Sequence, residues 1–319
     1  MKLSHLWRGL AATVLSLSVL SAHADVKENT VRVGYQKYGT LIILKAKGQL
    51  EQRLEPLGFK VEWVEFPAGP QMLEGLNVGS IDLATTGETP PVFAQAANAD
   101  LLYIAHEPPA PLGEAIVVHK DSPIKSVADL KGKKVALNKG SNVHYLLVKA
   151  LEEAGLGIRD VQSVYLQPSD ARAAFDRGSV DAWVIWDPFL AAVEHASQAR
   201  VLRDGTGLVH NHQFYLASRA FATRYPDIVK LVVDEINAID QWGKANPDAV
   251  TAALTPVLGL PEPAVRKAVE RYSYGAKLLT PEVASAQQQI ADVFYELKLI
   301  PKGIQIGSVV WNPVTVSKN

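Results

Sequence analysis

Short runs rich in β-branched and aromatic residues alternate with amphipathic stretches from residue 31 to residue 218. Apolar runs bounded by turn residues are typical of strands, and apolar residues repeating every three or four positions are typical of helices. The pattern predicts strands at 31–35, 60–66, 81–84, 101–106, 115–119, 134–137, 163–166, 182–185, 201–203 and 214–218. It predicts helices between them at 42–54, 71–77, 90–97, 142–154, 169–176 and 188–196.

Strands that alternate with helices favour βαβ units, and therefore an α/β fold with mostly parallel sheets. From residue 226 the pattern becomes helical, with predicted helices at 226–246, 247–258, 261–272 and 281–297. Proline opens these segments, as is common at the first position of a helix. The sequence thus predicts an α/β protein with extra C-terminal helices.

A short internal similarity links two parts of the chain. The motif Gly-Ser-x-Asp occurs at 79–82 and again at 178–181, in each case after a predicted helix and before a predicted strand. The repeat predicts two similar α/β lobes. Because ligands of open α/β sheets bind beyond the carboxyl ends of the strands, two facing lobes predict a ligand cleft between them.

The first 24 residues are predicted to be a signal peptide. Lys2 and Arg8 precede an apolar stretch at 10–20, and Ala22-His23-Ala24 supplies the small-x-small pattern of a cleavage site. A membrane anchor needs about 20 apolar residues, and this stretch is shorter. The expected product is an exported, soluble protein of the periplasm. It has no lipid anchor of the cysteine-linked kind, because the chain contains no cysteine.

Composition narrows the chemistry further. Apolar residues make up 48% of the chain and charged residues 20%, with a net charge of −1, which gives no electrostatic reason to expect a nucleic acid as partner. Motifs for phosphate loops, helical zinc sites and serine hydrolases are absent from the sequence, so we expect no catalysis, no cofactor and no metal site. His210 and His212 are interpreted as part of a solvated loop.

Two turns have the composition of anion-binding sites. Thr85-Thr86-Gly87 precedes one predicted helix, and Gly140-Ser141 precedes another, with Ser141 as the expected cap. Free N–H groups at a helix start bind anions without a formal positive charge. Ordinary helix capping is the alternative. Four aromatic residues at strand ends are either an apolar wall for a ligand tail or core residues: Trp183, Trp186, Phe214 and Tyr215.

Several long segments resemble the aliphatic sulfonate-binding proteins, which are the periplasmic receptors of sulfonate ABC importers. They are 33–39 (VGYQKYG), 63–82 (WVEFPAGPQMLEGLNVGSID), 86–95 (TGETPPVFAQ), 137–147 (LNKGSNVHYLL) and 181–188 (DAWVIWDP). The resemblance extends over roughly residues 31–301. It implies the two-lobed periplasmic binding-protein fold of type II, with lobe 1 formed by 26–110 plus 215–319 and lobe 2 by 111–214. Crossings near 108–112 and 212–215 would form the hinge.

The resemblance also implies a set of ligand-binding residues. Carried over to this chain, they are Gln36, Thr86, Gly87, Glu88, Glu107, Ser141, Asn142, His144, Trp186, Asp187 and Tyr215. The implied function is the capture of aliphatic sulfonates for sulfur acquisition, and the implied partners are an inner-membrane ABC permease and its ATPase. The receptor itself is expected to be a monomer. Binding of taurine, nitrate or a thiamine precursor remains an alternative within the fold, and a periplasmic hydrolase is an alternative outside it.

Two carboxylates in this set conflict with an anionic ligand. Glu88 and Asp187 both precede predicted helices, and like charges about 4 Å apart repel by roughly 4 kcal/mol at an effective dielectric constant of 20. Each therefore either caps its helix or contacts a polar or cationic part of the ligand. Capping is favoured for Asp187, which stands directly before Pro188. On that interpretation, Asp187→Ala should lower stability by about 1 kcal/mol and leave sulfonate affinity unchanged.

Overall fold

A computed structural model describes residues 29–313. The predicted signal peptide lies outside the described residues. The first sheet contains β1 (Asn29–Tyr35), β2 (Phe59–Glu65), β3 (Leu83–Thr86), β4 (Leu101–His106) and β10 (Phe214–Ser218), in the order β2-β1-β3-β10-β4. The second sheet contains β5 (Glu114–Val118), β6 (Lys134–Leu137), β7 (Gln162–Tyr165), β8 (Ala182–Trp186) and β9 (Arg200–Asp204), in the order β7-β6-β8-β5-β9.

Four of the five strands in each sheet run in the same direction, as the sequence predicts, although only two of the four strand pairings in each sheet are parallel. In the first sheet β1 pairs in parallel with β2 and β3, whereas β10 is antiparallel to its neighbours β3 and β4. In the second sheet β6 pairs in parallel with β7 and β8, and β5 is antiparallel to β8 and β9. All of the predicted strands are present, each within two residues of its predicted ends.

Helices connect the strands and extend the C-terminal part. They are α1 (Gly39–Lys47), α2 (Gln49–Leu54), α3 (Gly69–Asn77), α4 (Thr89–Ala96), α5 (Asn142–Glu153), α6 (Pro168–Asp176), α7 (Phe189–Ser197), α8 (Arg219–Arg224), α9 (Pro226–Ala245), α10 (Pro247–Leu258), α11 (Glu262–Glu270) and α12 (Pro281–Glu296). Among the described residues, none of these helices has both the length and the apolar character that a bilayer crossing requires.

The helical prediction is wrong in two places. The single helix predicted at 42–54 is two helices, because Gly48 adopts a left-handed conformation (φ 62°) and its N–H closes α1 on the carbonyl of Lys45. Helix α8 is missing from the prediction. It is a short helix whose start is capped by Ser218, where Oγ accepts the N–H of Phe221 at 3.2 Å.

The internal repeat is confirmed in the structure. β3 and β8 occupy the same position, the middle one, in their five-stranded sheets. The N–H of Asp82 donates to the carbonyl of Arg32 at 2.8 Å, and an Asp82 carboxylate oxygen accepts the Arg32 N–H at 2.9 Å. Asp181 makes the same pair of bonds with Lys134, both at 2.8 Å. Each aspartate thus fixes the register of β3 or β8 against its neighbour.

The two aspartates should differ in their effect on stability. Asp82 also accepts two bonds from the Arg32 guanidinium, at 2.7 and 3.0 Å, and Asp181 bonds to the Lys134 backbone alone. Because the Arg32 side chain is partly exposed, we expect Asp82→Ala to cost about 2 kcal/mol of unfolding free energy and Asp181→Ala about 1 kcal/mol. Urea unfolding of both variants measures the difference, and equal losses would contradict this account.

The chain crosses between the sheets twice. The first crossing follows β4 and the second precedes β10, and the two run side by side. Glu107 N–H donates to the carbonyl of Gln213 at 2.8 Å, and Ala110 N–H donates to that of His210 at 3.0 Å. The lobe boundaries at 110/111 and 214/215 remain predictions. The paired crossings place residues 107–110 and 210–213 against the space between the two sheets.

Candidate functional site

A polar cavity lies between the two sheets, where loops from both meet the crossing segments. Its volume is about 20 Å³, which is space for about one water molecule, so the cleft is closed around it. The lining residues are Gln36, Tyr38, Gly69, Gly87, Pro90, Asn142, Trp186, Asn211 and Gln213. None of these lining residues carries a formal charge.

Four helices begin at this cavity. Tyr38 is the N-cap of α1, Gly69 is the first residue of α3, Pro90 is the second residue of α4, and Asn142 is the first residue of α5. A helix start presents unpaired N–H groups and a partial positive charge. The sequence predicts two such turns, and the structure adds α1 and α3. Converging helix starts bring partial positive charge to the cavity without lysine or arginine, although Pro90 and Pro91 of α4 have no N–H to donate.

The amide side chains around the cavity are held by hydrogen bonds within the protein. Gln36 Nε2 donates to the Thr85 carbonyl at 3.3 Å, and Gln213 Nε2 donates to Thr85 Oγ1 at 2.6 Å. Asn142 Nδ2 donates to Asn211 Oδ1 at 3.1 Å and also to the Glu114 carboxylate. Asn142 therefore ties α5 to the second crossing, so these amide groups are fixed in position around the cavity.

Four of the predicted site residues line the cavity, namely Gln36, Gly87, Asn142 and Trp186. Thr86 and Ser141 lie beside it and are buried. Ser141 occupies the N-cap position of α5, but the prediction that its hydroxyl caps the helix is wrong, because Oγ donates back to the Asn138 carbonyl at 2.7 Å. The N–H groups of this turn are also used internally, because that of Gly140 donates to His144 Nδ1 and that of Ser141 donates to the Asn138 carbonyl.

His144 supports the cleft from within α5. Its ring is fully buried and packs against Phe93 of α4, with ring centroids 6.2 Å apart. Burial, together with nearby Lys139, lowers the pKa of His144 to about 4, so the ring is neutral near pH 7. Its Nδ1 accepts the Gly140 N–H at 3.3 Å. His144 thus fixes the turn before α5 and does not reach the cavity lining.

Glu88 faces away from the polar cavity. It lines a second cavity of about 80 Å³ together with Tyr145, His210, His212 and Gln287. Its Oε2 accepts the His212 N–H at 3.2 Å, and its side chain makes no capping bond to α4. Burial raises the pKa of Glu88 to about 7. In this structure Glu88 is neither a side-chain cap nor part of the polar cavity's lining.

The second crossing separates the two cavities residue by residue. Asn211 and Gln213 line the polar cavity, and His210 and His212 line the second one. The expectation of a solvated loop is wrong for His212, which is buried and has its Nδ1 2.7 Å from the Glu107 carbonyl. Among the described residues no cluster of three or more histidine, aspartate or glutamate side chains could hold a metal ion.

Glu107 and Tyr215 form a buried network near the crossings. The Tyr215 hydroxyl donates to Glu107, and Thr40 Oγ1 lies 2.9 Å from Glu107 Oε1 and 2.5 Å from Asp240 Oδ1. A threonine hydroxyl has one proton and cannot donate to both carboxylates. Burial, reinforced by Asp240, raises the pKa of Glu107 well above its usual value, which supplies the missing proton. Tyr215 is buried and does not line the cavity. The same is true of Trp183 and Phe214, which are core residues.

Asp187 makes the capping contact that the sequence favours. Its Oδ1 accepts the Ala191 N–H in the first turn of α7 at 2.9 Å. Both carboxylate oxygens also lie 3.3 Å from the Arg271 guanidinium, a partner that the sequence analysis missed. Burial raises the pKa of Asp187 to about 7, and the arginine and the helix amide oppose that rise. Asp187 thus has a structural role directly beside Trp186. Because it also pairs with Arg271, the expectation that Asp187→Ala leaves sulfonate affinity unchanged no longer follows from capping alone.

The sequence analysis also missed several residues of the lining. Tyr38 stands directly before α1, and its neighbour Gly39 has a positive φ of 73°. Asn211 also has a positive φ, of 53°, a conformation that asparagine tolerates better than most residues. Gln213 follows two residues later. In the sequence, only the asparagine in the connection between β9 and β10 could have pointed to this part of the lining. An asparagine in a loop does not by itself indicate a ligand.

Comparisons with known proteins show the family to which the chain belongs. Residues 29–253 match the family model for the substrate binding domain of an ABC-type glycine betaine transport system. A relative from Escherichia coli (strain K12), an aliphatic sulfonates-binding protein by name, is 46% identical over 303 residues, which is 95% of each chain.

Two solved structures share the fold across most of the chain. The alkanesulfonate-binding protein SsuA from Xanthomonas axonopodis pv. citri, bound to MOPS, is 44% identical with a TM-score of 0.86, and the match covers 88% of this chain and 98% of that one. The periplasmic aliphatic sulphonate binding protein SsuA from Escherichia coli is 47% identical with a TM-score of 0.81, over 89% and 92% of the two chains.

The chain is a member of the class of substrate-binding proteins of ABC-type transport systems. It has two β-sheets with flanking helices and one cleft between them. Within that class, the chain belongs to the family of the aliphatic sulfonate-binding proteins. The resemblance seen in the sequence and the predicted fold are both confirmed.

Proposed function

We propose that this protein is a periplasmic solute-binding protein that captures aliphatic sulfonates and delivers them to an ABC importer for sulfur acquisition. The observation that carries the proposal is the set of four helix starts around an uncharged, amide-lined cavity. A sulfonate is a permanent monoanion with three acceptor oxygens. Each hydrogen bond to such a charged group contributes roughly 1.5–3 kcal/mol, so several fixed donors offset its dehydration.

The neighbouring space suits the organic part of such a ligand. A further cavity of about 60 Å³ is also bordered by Gln36, Tyr38 and Trp186, three residues of the polar cavity. Its other walls are Phe66, Pro67, Pro188 and Phe189, together with the exposed ion pair of Lys37 and Glu65. An alkyl tail leaving the polar cavity would therefore meet aromatic surface, which favours its burial.

The closed cleft implies that ligand exchange requires opening. The polar cavity has room for about one water molecule, which is much smaller than a sulfonate, so the lobes must part before such a ligand enters. Lobe closure by hinge motion is a common transition in periplasmic binding proteins. The two crossings, joined at Glu107–Gln213 and Ala110–His210, are the proposed hinge.

Two of the three alternative ligands, taurine and a thiamine precursor, fit the lining less well. Taurine carries an ammonium group, and a thiamine precursor carries ring nitrogens that pair with a carboxylate. None of the described residues that line the polar cavity is a carboxylate, because Glu88, Glu107, Glu114 and Asp187 all lie outside that lining. A lining of uncharged donors favours a ligand whose only polar group is anionic.

The proposed partners are an inner-membrane ABC permease and its ATPase, with the receptor acting as a monomer. Residues 1–24 are the proposed signal peptide that directs the chain to the periplasm. The protein is proposed to bind its ligand without turnover. A thiol nucleophile is unavailable, since the chain contains no cysteine.

A thermal-shift panel in EDTA tests the proposal. Ligands are alkanesulfonates of two to eight carbons, taurine, nitrate and an aminopyrimidine. A ligand present at 100 times its dissociation constant stabilises the native state by about 2.7 kcal/mol, so we expect a clear upward shift with alkanesulfonates. Gln36→Ala should weaken the shift, and Gln52→Ala on the exposed face of α2 is the matched control. A shift with another ligand class and none with any sulfonate would overturn the proposal.

A further inference from the structure

The chain segment that follows α11 touches both sides of the cleft. Arg271 lies with its guanidinium 3.3 Å from both oxygens of Asp187, the residue next to Trp186 in the cavity lining. The next residue, Tyr272, packs edge-on against Tyr38, with ring centroids 5.0 Å apart and planes at 76°. Two consecutive residues therefore contact, directly or through one neighbour, the lining on opposite sides.

The contact is reinforced by charge. Arg271 Nη2 lies 2.8 Å from Glu194 of α7, and Lys267 Nζ lies 3.0 Å from the same carboxylate. The side chains of Arg271 and Glu194 are 15% and 13% exposed, and that of Asp187 is fully buried. Charges this well buried are costly to leave unpaired. We therefore expect loss of the Arg271 contact to shift the side chains of both Asp187 and Glu194.

Small residues bring the two helices close together. Ala191 of α7 packs against Ala264 and Ala268 of α11, and all three are buried. Helix α7 follows β8 of the second sheet, and α11 packs on α10, which packs on α9 and on α1 of the first sheet. The α7–α11 contact thus joins the two halves of the molecule at a place other than the crossings.

We propose that Arg271 is a positioning residue for the ligand. By holding Asp187 and Glu194 to the end of α11, it fixes Trp186 opposite Tyr38 in the closed cleft and so sets how long a bound ligand is retained. This inference rests on the proposed binding function. Arg271 does not line the cavity, yet on this proposal it controls the rate of ligand release.

Ligand-release kinetics test the inference by stopped flow with an alkanesulfonate. Arg271→Met should raise the dissociation rate about tenfold and leave the association rate nearly unchanged, because loss of one partner of a buried charge pair acts mainly on dissociation. The double variant Asp187→Asn with Arg271→Met, which removes both charges of the pair, should release ligand as fast as Arg271→Met alone. Arg266→Met is the matched control, since Arg266 is also on α11 but pairs with Asp248 and Glu262, away from α7.

The test covers three further outcomes. A lower melting temperature for Arg271→Met with unchanged dissociation would show a merely structural role and overturn the inference. If Arg271→Met does not fold, Arg271→Lys takes its place. Lysine keeps the charge without the bidentate geometry and should give a smaller increase. If the wild-type protein binds another ligand class in the panel above, the same kinetics with that ligand test Arg271 separately from the proposed function.

Discussion

Alanine at position 87 should lower alkanesulfonate affinity at least tenfold without lowering the free energy of unfolding. A Cβ atom on Gly87 would lie 2.9 Å from Cβ and 3.0 Å from Cγ of Asn142 across the cleft, closer than real Cβ contacts allow. Asn142 is held by Asn211 and Glu114, so it cannot easily move aside. The backbone of Gly87 is outside the left-handed region, and alanine there is unstrained. The added methyl group therefore acts by keeping the two halves apart.

Calorimetric titration and small-angle scattering measure this effect. The variant should bind more weakly, and its radius of gyration with ligand should stay larger than that of the wild type. Gly157→Ala is the matched control, because a Cβ at Gly157 meets its nearest atom at 3.8 Å and the residue lies outside the cleft. Wild-type affinity in Gly87→Ala would mean that ligand binding does not need the closed arrangement seen here.

The second large effect is a loss of stability as the pH rises. Burial raises the pKa of Glu88 from 4.5 to about 7, so between these values the native state binds more protons than the unfolded chain. Stability then falls with increasing pH. The contribution is fully present below pH 4.5 and is lost as the pH rises through about 7, which amounts to about 3 kcal/mol from Glu88 alone. The raised pKa values of Glu107, Glu114 and Asp187 act in the same direction.

Urea unfolding at a series of pH values between these limits checks the slope. Glu88→Gln, which cannot ionise, should flatten the pH dependence by the amount that Glu88 contributes. Glu296→Gln on the exposed face of α12 is the control and should leave the curve unchanged. A Glu88→Gln curve parallel to the wild type would show that the pKa of Glu88 is the same in the folded and unfolded states, and would contradict this account.

Local patterns in the sequence predict most helices and strands, because the burial and conformational preferences that form these elements act over a few neighbouring residues. A run such as 101–106 is buried along its whole length and has strand composition, and the observed strand is identical to the predicted one. The break at Gly48 was missed because the flanking residues continue the helical periodicity, and only the left-handed glycine ends α1. The apolar pattern does not record such a change of backbone conformation.

The site is less accessible to sequence reasoning because its contacts are distant along the chain. Turns before helices are visible locally and mark Gly87 as a candidate, whereas Asn142 enters the predicted site only through the family resemblance. Arg271 and Asp187 are separated by 84 positions, and no periodicity links them. The orientation of Glu88 depends on the second crossing, whose alternate residues face different cavities. Such relations appear only when the two sheets are brought together.

The position of β10 between β3 and β4 determines the order in which the two sheets can be completed. All five strands of the second sheet lie between Glu114 and Asp204, in one continuous stretch. The first sheet contains the first four strands of the described chain, yet β3 and β4 have no shared neighbour until Phe214–Ser218 follows. In a chain synthesised from its N-terminus, the first sheet therefore begins to form first but receives its fifth strand only after all strands of the second sheet have been made. Until β10 has been made, the edges of β3 and β4 that pair with it remain without a partner strand, because β10 follows all five strands of the second sheet.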